Sequence, residues 1–147
     1  MEDGKFRIDA TTLFLKLKGM AMTKFFVAGI PYGKRKVRGN REGPTQWTRS
    51  VKGATRGLDT INGPCRLDVD FILPASKFPS DVPFESDLDN LLKNLLDTIG
   101  KTFLRNAEGR DSAILEINAR KRKARPGERT GARISLSRVK SPAWRHP

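Results

Sequence analysis

The sequence predicts an α+β domain in which a small mixed β-sheet packs against two main helices and a β-hairpin closes the C-terminus. Two observations carry this. Apolar residues recur at every second position in one segment and at helical spacing in two others, and the resulting order is strand, helix, strand, helix, two strands. At 147 residues the chain has about one domain's worth of length, enough to bury a core without disulfides. Residues 1–22 read as an irregular N-terminal extension, 23–140 as the folded domain and 141–147 as a tail.

Lys24 to Ile30 reads as a buried strand ended by Pro31. A glycine-punctuated basic loop follows, and Pro44 with a Thr45 cap announces the first helix. In that helix Trp47, Val51, Ala54, Leu58 and Ile61 share one face, while Arg49, Lys52 and Arg56 share the polar side. Gly53 and Gly57 each weaken it by about 1 kcal/mol relative to alanine. Gly63 and Pro64 then break the chain before Cys65 to Leu73. There Leu67, Val69, Phe71 and Leu73 alternate with Arg66, Asp68, Asp70 and Ile72, as a half-buried strand requires. A proline-punctuated loop, Pro74 to Pro83, leads to the second helix. Leu88, Leu92, Leu95 and Ile99 form its apolar face, with Leu91 and Leu96 beside them, leaving Asn90, Lys93, Asn94 and Asp97 opposite. After a turn at Asn106 to Gly109, Asp111 opens a strand through Ile114, Leu115 and Ile117, and Pro126 with Gly127 turns it into Ala132, Ile134 and Leu136.

Composition narrows the chemistry. The lone Cys65 cannot form an internal disulfide, and the only histidine, His146, sits beside the C-terminus, which argues against zinc sites and histidine-based triads. No run has the length of a membrane span, and Leu13 to Leu17 is too short and too interrupted by lysine for a signal peptide. A cytoplasmic setting, DNA-associated and away from membranes, is expected.

The formal charge is +13, and residues 118–147 alone carry ten Lys or Arg against one acid, Glu128. Such a balance points to polyanion binding. The candidate phosphate contacts are Lys34, Arg35, Lys36, Arg38 and Arg41 in the basic loop, Arg49, Lys52 and Arg56 on the first helix, and Arg120, Lys121, Arg122 and Lys123 on an arm of the hairpin.

Against that positive background, the run Ser86, Asp87, Leu88, Asp89, Asn90, Leu91, Leu92, Lys93 gathers carboxylates at a helix start. Residues two apart inside a helix point roughly 200° away from each other, so Asp87 must lie in the turn before the helix if it is to converge with Asp89. A converged pair is relieved by a shared proton or by a hard divalent cation, with Mg²⁺ the natural candidate. Lys93, one turn after Asp89, could then reach a phosphate oxygen at that metal, and the whole would serve a phosphodiester. The plainer reading has Ser86 and Asp89 as a capping box and Asp89, Lys93 and Asp97 as a ladder of surface pairs. Asp68 and Asp70 form a second pair on one strand face, and Asp111 is a third acid that could return to Asp87 and Asp89.

The block Asp87, Leu88, Asp89, Asn90, Leu91, Lys93 and Asp97, followed by Asp111 and an apolar strand, resembles the RusA family of Holliday junction resolvases. The likeness runs from about Lys24 to Val139 and includes the opening strand with Pro31, the basic loop and the closing segment Gly131 to Leu136. The resemblance implies a homodimeric, Mg²⁺-dependent endonuclease that cuts four-way DNA junctions symmetrically in recombination and repair. It would put Asp87, Asp89 and Asp111 at the metal, with Lys93 as the catalytic lysine. The N-terminal extension, a somewhat longer loop before Asp111 and the basic tail depart from the pattern. The competing readings are a non-catalytic basic nucleic-acid-binding module and a flap or branched-DNA nuclease using the same site.

Overall fold

The computed structural model describes residues 22–33, 42–75, 87–107 and 110–139. It has four strands, β1 (Met22–Ala28), β2 (Cys65–Leu73), β3 (Ile114–Lys123) and β4 (Gly131–Arg138), and two α-helices, α1 (Gly43–Thr55) and α2 (Leu88–Lys101). The sheet order is β1-β4-β2-β3. β4 runs antiparallel to both β1 and β2, and β3 runs parallel to β2. The mixed sheet and two helices agree with the α+β expectation.

The alternation in β2 sorts the sheet into two faces. Leu67, Val69 and Phe71 stand opposite Leu136, Ile134 and Ala132 of β4, and all are buried in one cluster with Val27 of β1, Trp47 and Val51 of α1 and Leu91, Leu95 and Ile99 of α2. Each such fully buried aliphatic side chain contributes roughly 1.5–3 kcal/mol of transfer free energy. Both helices therefore lie on one side. On the other side Asp68 pairs across the ladder with Ser135, and Asp70 with Arg133.

The last two strands need a correction in their neighbours. β3 and β4 are antiparallel and joined through the turn at Pro126 and Gly127, as expected, but β2 lies between them and bonds to each. The turn thus carries the chain across the end of β2. Arg122 makes a bidentate pair with Glu128 at 2.7 and 2.6 Å, and the Arg125 N–H donates to the same carboxylate at 2.9 Å. Beneath this turn Ile72 is buried although it belongs to the polar face. Gly131 begins β4 at φ +152°, and a Cβ there would collide with the Val27 carbonyl oxygen, so the β1–β4 approach needs glycine.

Boundaries moved by a few residues. β1 begins at Met22 rather than Lys24. α1 starts at Gly43 with Glu42 as its N-cap, Pro44 in its first turn and no side-chain cap, so Thr45 is not the cap. It ends at Thr55, ahead of the left-handed Gly57, although Leu58 and Ile61 continue into the core. Asp111 lies in a 3₁₀ turn, Arg110–Ala113, that precedes β3 rather than within the strand.

Asn94 is not on an outer face of α2. It is 2% exposed, its amide donates to the Tyr32 carbonyl at 2.9 Å, and its oxygen accepts from the Thr48 hydroxyl at 3.3 Å. One side chain thereby ties α2 to α1 and to the segment after β1. Replacing it with alanine leaves the carbonyl side of that tie without its donor in a buried place, and Asn94→Ala is expected to lower unfolding free energy by about 1–3 kcal/mol in urea titration.

Candidate functional site

Asp87 is the N-cap of α2, with φ −57° and ψ 130°, and its side chain makes no capping bond. Its carbonyl accepts from the Leu91 N–H at 3.0 Å, which starts the helix. Asp89 sits in the first turn and is exposed, as is Lys93 one turn later. The expectation that Asp87 precedes the helix while Asp89 begins it therefore agrees with the backbone. Ser86 lies outside the described residues.

Asp111 is elsewhere. Its side chain packs on Gly100, where an added Cβ would stand 3.4 Å from both the Asp111 Cβ and Oδ1. Gly100 belongs to the last turn of α2, and Asp89 to the first. With a rise of 1.5 Å per residue, the two ends are separated by roughly 16 Å along the helix axis. Within one chain the three carboxylates thus do not converge, which corrects the expectation that Asp111 returns to Asp87 and Asp89. Among the described residues no group of three His, Cys, Asp or Glu is arranged to hold a metal ion. Asp87 and Asp89 carry hard oxygen donors of the kind Mg²⁺ takes, but two carboxylates without a third ligand group do not make a metal site.

The second acidic pair is already occupied. Arg66 holds Asp68 through two bonds of 3.1 Å, and Arg120 holds Asp70 at 2.7 and 3.2 Å. A guanidinium fork on each carboxylate satisfies the charge that a metal would otherwise neutralise.

The basic candidates divide in the same way. Arg49 and Lys52 of α1 face Lys101 of α2 across a cavity of about 400 Å³ that also takes in Thr48, Thr98 and Asp97. Arg56, just past α1, is exposed. These cations are open to solvent on the helix side. Arg120 and Arg122, by contrast, spend their guanidinium groups on Asp70 and Glu128, a correction to their expected use as free phosphate contacts. Lys123 is exposed and Lys121 half-buried on the same strand. Lys34, Arg35, Lys36, Arg38 and Arg41 lie outside the described residues.

The carboxylate partners Asp68, Asp70 and Glu128 push the Arg66, Arg120 and Arg122 guanidiniums above their ordinary value, and two further groups shift far enough to matter chemically. The Arg122 fork and the Arg125 N–H hold the Glu128 carboxyl down at about 2, and burial pushes the Cys65 thiol up to about 11. Cys65 is therefore a protonated core residue at neutral pH. Sequence reading missed the Glu128 staple, although an acid two residues after the Pro126 turn within a basic arm was the signal for it. It also missed Phe26, over whose ring the Arg129 guanidinium lies at 4.7 Å.

No known protein family matches the chain, and no curated protein matches it. No helix among the described residues is long and apolar enough to cross a membrane.

The Glu128 carboxyl has its folded-state value below its unfolded one, so its contribution to stability is complete above about 4.5 and is lost as pH falls toward about 2. The Glu128 carboxyl resonance is expected to titrate with a midpoint near 2. Over the same acid range Glu128→Gln should lose less stability than the wild type, as read by denaturant midpoints.

Proposed function

We propose that the chain is a Mg²⁺-dependent endonuclease of branched DNA, a resolver of four-way junctions, that works as a homodimer whose active sites are shared between its two copies. The observation that carries this is the separation of the acids: Asp87 and Asp89 lie at one end of α2, and Asp111 lies against the other. Two such helices packed antiparallel about a two-fold axis would set the first pair of one copy beside the partner's Asp111, twice. Leu88, Leu92 and Leu96 form a half-buried stripe along α2 that suits such a contact. Leu115 and Ile117, 37% and 44% exposed on the edge strand β3, add apolar area next to that helix end.

In this arrangement Asp87, Asp89 and the partner's Asp111 would hold Mg²⁺, which supplies an activated water and offsets phosphate charge. Lys93 presents its ammonium one turn from Asp89, where it can stabilise negative charge developing on a phosphate oxygen. Arg49, Lys52 and Lys101 line a cationic recess between the helices and would steer and hold the backbone through salt-dependent contacts. Two sites related by a two-fold axis suit a junction, whose opposed strands share that symmetry.

A second reading, a non-catalytic nucleic-acid-binding module, is favoured by the failure of the carboxylates to meet within one chain. Subunit mixing separates the two. Asp89→Asn and Asp111→Asn homodimers are each expected to bind a synthetic junction and not to cut it. A mixed dimer has one doubly damaged site and one intact site, so mixing should restore Mg²⁺-dependent nicking of one strand without paired resolution. Nicking that stays absent after verified subunit exchange would refute shared sites. Wild-type protein that binds junctions yet leaves them intact in Mg²⁺ would leave the binding module.

A further inference from the structure

The face of the sheet opposite the helices carries no covering element among the described residues, and it contains a groove of about 710 Å³. We infer that this groove is a binding site for single-stranded nucleic acid, with Phe26 and Arg129 forming a stacking platform for a base and Lys24 and Arg133 engaging the flanking phosphates. It is separate from the acidic helix and does not rest on the nuclease reading.

The acids that line the groove are matched by arginine, Asp68 by Arg66, Asp70 by Arg120 and Glu128 by Arg122, while Glu116, outside the lining, shares Arg66 at 3.9 Å. Among the described residues that line the groove, Lys24, Arg129 and Arg133 are the cations left over. Arg133 does reach Glu128, but only at 3.8 Å and on an oxygen that Arg122 already holds at 2.6 Å. The surplus is thus positive, and it is gathered at the β1–β4 side.

Geometry then selects the anion. In the ladder Phe26 stands opposite Arg133, and Lys24 opposite Ser135, one step along the same face. Phe26 is held from beneath: a Cβ on Gly131 would come within 2.7 Å of its ring, so the glycine at that position is what lets the ring lie down on the sheet. Above the ring sits the Arg129 guanidinium, 4.7 Å from its centroid, presented by the turn that the Glu128 staple holds in place. A fixed aromatic with a guanidinium over it offers a surface on which a nucleobase can stack, and Lys24 and Arg133 in the same groove supply cations for the backbone phosphates beside it. Duplex bases are stacked on each other and show no free face to such a platform, so an unpaired strand is the fitting occupant. An acidic peptide shares the charge but has no plane for the Phe26–Arg129 stack.

The test is fluorescence anisotropy with a labelled oligothymidylate and, separately, a labelled duplex, using the full chain. Phe26→Leu keeps the apolar volume on Gly131 and removes the ring, and Arg129→Gln removes the planar cation. Each is expected to weaken oligothymidylate binding about tenfold with duplex binding and thermal midpoint unchanged. Lys24→Gln should lower the salt slope for the oligonucleotide by about one, and polyglutamate should not compete. Oligothymidylate affinity that is the same in all three variants as in the wild type would overturn the assignment, as would equal losses on oligonucleotide and duplex. Displacement of the oligonucleotide by polyglutamate, lost in Phe26→Leu, would give the groove to acidic peptides instead.

Discussion

A straight α-helix keeps its two ends apart by a distance that its length alone sets, and most of what can be said about this protein's chemistry depends on that property of α2. Its 14 residues are pinned along one side by Leu91, Leu95 and Ile99 in the core and in the middle by Asn94, which bonds to the segment after β1 and to Thr48 of α1. A helix so fixed cannot bend to bring its termini together. The acids at its start and the acid packed on its last turn therefore belong to different places on the surface. Chemistry that needs all of them has to draw on two copies of the chain.

The sheet solves a second problem, that of holding acidic strand residues in a strongly cationic protein. On β2 the side chains that face away from the helices include Asp68 and Asp70, and each is held by an arginine. Surface ion pairs of this kind contribute little stability singly. Their larger effect here is to decide which cations remain for a partner. Glu128 acts in the same way, and by fastening the turn between β3 and β4 it also sets where Arg129 lies. The helix side and the open sheet face thus carry separate sets of cations, one around Arg49, Lys52 and Lys101 and one around Phe26.

Much of this architecture was legible in the sequence, because period and alternation act locally. The limits of β2, the apolar face of α2 and the position of Asp87 before the helix all follow from residues within a few positions of one another. What failed was adjacency. Pro126 and Gly127 announce a reversal of the chain but do not say which strand fills the gap, and β2 took the place beside both arms. The same oversight misplaced Asp111. Once β3 is known to run parallel to β2 with α2 as the crossover, the helix must run back toward the start of both strands, so a residue just ahead of β3 lies at the C-terminal end of α2. Asn94 and Glu128 were missed for another reason: a buried amide and a stapling carboxylate depend on partners from distant or irregular segments, which periodicity does not reveal.

The most direct measurement is of proximity between copies. With Cys65 replaced by serine, Asp89→Cys and Asp111→Cys proteins would be oxidised separately and as a mixture, and the products separated without reductant. Shared sites predict a covalent dimer joining one chain of each kind in the mixture, and a dimer linked at both sites, without an intrachain disulfide, when one chain carries both cysteines. An intrachain disulfide in that doubly substituted chain would contradict the account, and so would a mixture that gives no crosslink beyond those of its separate components.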